Sequence, residues 1–171
     1  MATTSQVPVE LYLKSSYEPD AEYVDGHIEE RPMGEFDHAS WQQAIQLWFT
    51  QHARDWNIRV RPELRVQVSP TNCRVPDVVV FDRDHPIEQI LTRPPIAVFE
   101  ILSAEDAIPR MLRKLADYEQ MGVPTIIVVD PGPRLVYQYQ SDNLGRLTTP
   151  VLQLAGSRGY VDWQKLQELL D

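Results

Sequence analysis

The sequence predicts an α/β domain in which a mixed central sheet is flanked by helices and preceded by an N-terminal β-hairpin. Three observations predict it. Val78-Val79-Val80-Phe81 and the stretch PIAVFEIL are continuous apolar runs without alternation, which marks strands buried on both faces. A helical pattern follows the second run and another apolar strand follows that helix, an order whose crossover favours parallel pairing. An Asp25-Gly26 pair lies between two short strand-like pieces, a strong hairpin signal. At 171 residues the chain suits one domain, 1–171, with ample length for a core.

Residues 1 to about 20 are polar, with a short apolar-dotted segment, VELYLKSS, that suits a turn of helix. EYVDGHIEERP then supplies the hairpin. In EFDHASWQQAIQLWFTQHARDW, Asp37 is the expected N-cap, and Phe36 and Trp41 stand at the spacing of a hydrophobic staple. His38, Trp41, Ile45, Trp48, Phe49 and His52 recur at helical spacing, so this helix buries an aromatic-rich face. Strands are expected from Ile58 to Val68, from Asp77 to Phe81 and through PIAVFEIL to Leu102. The last two are separated by the polar loop DRDHPIEQILTRP. AIPRMLRKLADYEQMG reads as a helix with Gly122 as its C′ residue and Pro124 beyond its end. PTIIVVDPGPRLVYQYQ is a buried strand, a Pro-Gly turn and a second strand; DWQKLQELL is a short helix capped by Asp162.

A net charge of −9 excludes a protein that simply coats nucleic acid, because phosphate contacts dominate such binding. Thirteen arginines outnumber three lysines, and seven of those arginines fall between Arg54 and Arg93. In RVRPELRVQV, Arg59, Arg61, Arg65 and Gln67 share one face of a period-2 strand; a solvated outer face is the ordinary reading, a ridge facing phosphates the other. Cys73, the single cysteine, excludes internal disulfides and a thiolate metal cage and reads as incidental in a polar turn. The polar N-terminus has no signal pattern, and no apolar window approaches a membrane span. A cytoplasmic protein without membrane contact is expected.

Two charges stand in these buried strands. Asp77 is placed directly before the apolar run, at the strand mouth, and Glu100 projects from AVFEIL on the face shared by Val98 and Leu102. If the strands pair, their carboxylates converge, and two such charges raise a pKa unless a cation intervenes. A hard divalent ion suits the pair, since magnesium often takes only one or two protein carboxylates. The alternative is that each carboxylate separately pairs with an arginine. In the following helix Met111, Lys114, Tyr118 and Met121 form one stripe, so Lys114 stands on the face turned to the sheet. There it can neutralise charge developing on a phosphate. It can also snorkel past the sheet edge or pair with Asp117.

EYVDGHIEERP, VPDVVVFD, VFEILS, RKLADYEQMGVPTIIVVDP and VYQY, taken in order, resemble the Uma-two restriction-endonuclease-like family of bacterial proteins. The family lies within the PD-(D/E)XK nuclease superfamily, and the resemblance runs from about Glu22 to Tyr139. It implies a restriction-endonuclease-like core in which Asp77 and Glu100 hold Mg²⁺ or Mn²⁺ and Lys114 is the catalytic lysine. That lysine replaces one expected two residues after the glutamate, where Leu102 stands. Arg110 and His27 occupy places where relatives often carry acidic residues. The implied activity is metal-dependent phosphodiester hydrolysis, of DNA rather than RNA, by a homo-oligomer, most simply a dimer. A binding or assembly module that keeps this fold without catalysis is the alternative. His38, Glu29 and Tyr118 are candidate supporting residues. His38 can reach the site or be satisfied by a backbone carbonyl, and the hairpin alternation lets only one of Glu29 and Glu30 point inward. Asp82, Asp84 and His85 have a metal-like composition that polar loops share without binding anything.

Overall fold

Positive φ at two consecutive residues, Asp25 (46°) and Gly26 (87°), makes the tight left-handed turn on which the N-terminal hairpin folds back. The computed structural model describes residues 6–170, so the first residues of the polar lead and the extreme ends of the expected domain lie outside it. α1 (Val9–Leu13) is a single short turn whose Tyr12 is fully buried. β1 (Ala21–Val24) and β2 (His27–Glu30) are the two hairpin strands, paired antiparallel. α2 (Phe36–His52) begins earlier than the expected cap. Glu35 takes the N-cap place with no side-chain hydrogen bond, while Asp37 lies in the first turn, where its charge still favours the helix dipole. The staple does not form: Phe36 is 83% exposed, and Trp41 packs into the core instead.

The strand expected from Ile58 to Val68 is two strands in different sheets, β3 (Ile58–Pro62) and β4 (Val66–Ser69). Pro62 offers no N–H and Glu63 has a φ of 51°, so the ladder ends there and the chain turns. This break also disperses the arginines. Arg59 donates to the carbonyls of Arg83 and His85, whereas Arg65 donates to those of Tyr12 and Ser15 and lies 5.4 Å from the Tyr12 ring centre. They form no common ridge. β5 (Asn72–Arg74) was not expected, and Cys73 is buried within it against Tyr12 and Tyr23 rather than in a polar turn.

β6 (Val78–Asp82), β7 (Ala97–Ile101), α3 (Ile108–Met121), β8 (Thr125–Asp130), β9 (Leu135–Gln140) and β10 (Asn143–Arg146) follow. They build a mixed six-stranded sheet in the order β10-β9-β8-β7-β6-β3, with β7 and β8 parallel across the α3 crossover. The hairpin belongs to a second, four-stranded sheet, β2-β1-β5-β4. β11 (Val151–Gln153) and β12 (Tyr160–Asp162) form a ribbon that leads into α4 (Trp163–Gln167), where the Asp162 carboxylate caps the Lys165 N–H at 3.2 Å.

The large sheet is apolar on both faces, which explains the unbroken strands. One face packs Trp41, Ile45 and Phe49 of α2 and Leu166 of α4 against Val78, Val80, Phe99 and Ile101. The other packs Met111, Leu115 and Tyr118 of α3 with Val66 and Val68 against Val79, Val98 and Val128. α3 ends as expected, with Gly122 at φ 100°. No helix among the described residues is long and apolar enough to cross a membrane. The buried charges are concentrated at one seam, where the small sheet meets α3 beside the ends of β6 and β7.

Candidate functional site

β6 and β7 pair antiparallel with Val78 opposite Phe99, so Asp77, one residue before β6, lies level with Glu100. Lys114 reaches over them from α3. Its Nζ lies 2.9 Å from Glu100 Oε1 and 2.8 Å from Glu22 Oε1, and it donates to the Val75 carbonyl at 2.9 Å. The inward stripe of α3 therefore delivers the lysine to both carboxylate-bearing strands. It neither snorkels nor pairs with Asp117, which instead meets Arg74. Tyr118, one turn on, donates its hydroxyl to Glu100 Oε1 at 2.8 Å.

Asp77 both accepts from backbone and pairs with a base. Its Oδ2 accepts the Ile101 N–H at 2.7 Å, and its Oδ1 pairs with Arg31 Nη2 at 2.7 Å. His38, in the first turn of α2, places Nε2 3.3 Å from Asp77 Oδ2 rather than on a backbone carbonyl. Gly34 gives that ring its room, because a Cβ there would meet His38 Nδ1 at 2.9 Å. The alternative of separate arginine pairing thus holds at Asp77 alone, because Glu100 meets a lysine instead of an arginine.

These contacts set the charge states. Burial alone would raise Asp77, but the His38 hydrogen bond, then Lys114 and Arg31, hold it below the ordinary carboxylate value. Glu100 goes the other way. Burial pushes it up to about 7 against the pull of Lys114, with the charges of Asp77 and Glu22 adding to the rise. Burial also opposes the charged lysine, yet Glu100, Glu22 and Asp77 outweigh it and keep Lys114 protonated. His38 is raised too, since the hydrogen bond and charge of Asp77 overcome its burial.

Glu22, Arg31 and Arg74 were missed by the sequence reading. Glu22 carried the signal that exposed Glu100, a charge inside an otherwise apolar strand, in Ala21-Glu22-Tyr23-Val24. Arg31 and Arg74 carried none, since each sits in a polar stretch and meets its partners only through tertiary packing. Glu29 pairs with Arg110 at 3.3 Å, and Arg110 also donates to the Glu30 carbonyl, so both hairpin glutamates are tied to α3 at the rim. In the polar loop, Asp82 accepts the Asp84 N–H and Asp84 accepts from Asn57.

Asp77, Glu100 and Lys114 line one cleft with Glu22, Arg31 and His38. The donor chemistry fits a hard divalent ion, two carboxylates offering oxygen. The present packing leaves about 40 Å³ of free space there, enough for about two or three waters, and Arg31 holds the outward Asp77 oxygen. No cluster of three or more His, Cys, Asp or Glu side chains is arranged for a metal among the described residues.

A family described as "Uma2: Putative restriction endonuclease" matches residues 8–158, beyond both ends of the stretch that carried the sequence resemblance. The match takes in α1 and β11. Among solved structures, "a putative nuclease belonging to DUF820 from Anabaena variabilis ATCC 29413" superposes with a TM-score of 0.80 at 20% identity, over 96% of this chain and 99% of that one. The fold is therefore shared over essentially both whole chains. A "DrdV-DNA complex" matches with a TM-score of 0.45 and 18% identity over 80% of this chain, which spans 12% of that protein. No curated protein matches the chain.

Proposed function

The chain belongs to the Uma2 family, and on that premise we propose that it is a metal-dependent nuclease that hydrolyses phosphodiester bonds of DNA. The observation that carries the reading is the convergence of Asp77, Glu100 and Lys114 in one cleft at the paired ends of β6 and β7. Asp77 and Glu100 would hold Mg²⁺ or Mn²⁺, which when bound supplies Lewis-acid polarisation of the phosphate and a more acidic water. The chain's own residues do the rest. Ile101 N–H and His38 orient Asp77, and the Tyr118 hydroxyl orients Glu100. Lys114 stays protonated, so its role is to stabilise negative charge on the phosphate rather than to accept a proton.

A second reading, a binding module that keeps the fold without catalysis, is favoured by one observation: Arg31 already neutralises Asp77. Nicking of supercoiled plasmid separates the two. The nuclease reading expects relaxed product with Mg²⁺ or Mn²⁺, none with chelator and none from Asp77→Ala protein. Plasmid left intact in every metal would favour the binding module.

A further inference from the structure

The two oxygens of Asp77 have different duties. Oδ2 is fixed by the Ile101 N–H and His38, whereas Oδ1 has one partner among the described residues, Arg31 Nη2 at 2.7 Å. Arg31 is forked. While Nη2 faces inward, Nη1 lies 3.2 Å from Asp20 Oδ2 and 3.7 Å from Glu63 Oε1 at the rim. The side chains of Asp20 and Glu63 are 46% and 50% exposed, against 12% for Arg31, so the guanidinium has an anionic resting place directly outside the cleft. Lys114 has no such exit, because its three partners, Glu22, Glu100 and the Val75 carbonyl, are all buried.

A hard cation takes carboxylate oxygen at about 2 Å and keeps several of its waters. An ion on Oδ1 would stand a few ångströms from the Arg31 guanidinium at low dielectric, so the two cations compete for that oxygen. We propose that Arg31 is a resident competitor for the metal position. The ion enters as Arg31 Nη2 leaves Asp77 Oδ1, and the displaced guanidinium rests on Asp20 and Glu63. This inference rests on the assignment of Asp77 and Glu100 as the metal pair. Arg31 thereby sets how much free Mg²⁺ or Mn²⁺ the site needs.

The sign of the Arg31→Met effect distinguishes competition from support. Loss of a merely structural arginine loosens the cleft and weakens metal binding, whereas loss of a competitor tightens it. Calorimetric titration of the full chain with MnCl₂, on proteins shown to be folded by circular dichroism, is expected to give Arg31→Met at least tenfold tighter binding than wild type. The paired substitution Asp20→Asn with Glu63→Gln, at two half-exposed positions, should weaken Mn²⁺ binding severalfold beside Arg31 and change it little in the Arg31→Met background. That non-additivity separates a lost resting place from a general loss of negative charge. Wild type that binds Mn²⁺ as tightly as or tighter than Arg31→Met, or additive effects of the rim pair, would overturn the competitor role and leave the metal pair standing. Absence of binding by both wild type and Arg31→Met would overturn the metal pair, and this inference with it.

Discussion

Arg74 and Arg31 each bridge acids in the same neighbourhood, one in the closed interior and the other at the lip of the cleft. Arg74 is 2% exposed and donates to Glu22 and Asp117, while Glu22 also accepts the Val75 N–H and Asp117 accepts from Asn72. Every charge in that inner cluster is met from inside the protein, and it ties the hairpin sheet to α3. Arg31 stands at the lip, shared between buried Asp77 and two half-exposed acids, and it lines the cleft. Lys114 joins the clusters through Glu22 on one side and Glu100 on the other. Paired buried charges thus serve two purposes here. The closed cluster holds two sheets and a helix together; the open one keeps a carboxylate ionised at the edge of the cleft.

The sharpest way to break this contrast is to remove each arginine. Arg74→Met removes the buried partner that Glu22 and Asp117 share and should destabilise the protein by about 3 kcal/mol or more. Arg31→Met leaves Asp77 its hydrogen bonds from Ile101 and His38 and should lose about 2 kcal/mol or less. Urea unfolding of both variants measures the difference. Equal losses would mean that the lip is as structural as the interior.

The lysine that joins the clusters gives the next largest effect. Lys114→Met should lower plasmid nicking on the order of a hundredfold or more, measured at temperatures where circular dichroism shows the variant folded. Its melting temperature should also fall, because Glu22 and Glu100 lose a shared partner. Wild-type nicking by the variant would assign Lys114 to the structural cluster alone.

A pH series sharpens the contrast further. With Glu100 raised to about 7 from an ordinary 4.5, the folded chain holds a proton that the unfolded chain has released, so metal-free stability drains as pH rises across that window. Asp77 and Glu22 lie below their ordinary values, so their contribution is present above pH 3.8 and 4.5 respectively and is lost as pH falls through their folded values. His38, raised, adds stability that fades as pH climbs past its folded value. Melting temperatures in chelator should therefore decline from pH 4.5 to 7, by at most about 3 kcal/mol in stability terms. Glu100→Gln should show a much shallower decline. An unchanged slope in that variant would move the titration to another residue.

Much of this was legible in the sequence where the signal is local. The continuous runs at Val78–Phe81 and Ala97–Leu102 announced strands buried on both faces, and the Met111-Lys114-Tyr118 stripe placed the lysine against the sheet. Asp25-Gly26 announced the hairpin. Capping was less legible, because Phe36 and Trp41 have staple spacing but Trp41 buries more surface in the core than against an exposed ring. The Ile58–Val68 strand misled for a related reason: period-2 alternation runs straight through Pro62-Glu63, and only the backbone break shows that the two halves serve different sheets. Glu22 was readable by the rule that found Glu100. Arg31 was not, since its meaning lies in a contact with Asp77 across 46 residues of chain.

The central claim, that Asp77 and Glu100 jointly hold a divalent ion once Arg31 withdraws, is tested most directly by anomalous diffraction from crystals grown with MnCl₂. The account predicts one manganese peak between the Asp77 and Glu100 carboxylates, with the Arg31 guanidinium moved onto Asp20 and Glu63. A map from saturating Mn²⁺ with no peak at that position and Arg31 still seated on Asp77 Oδ1 would contradict it.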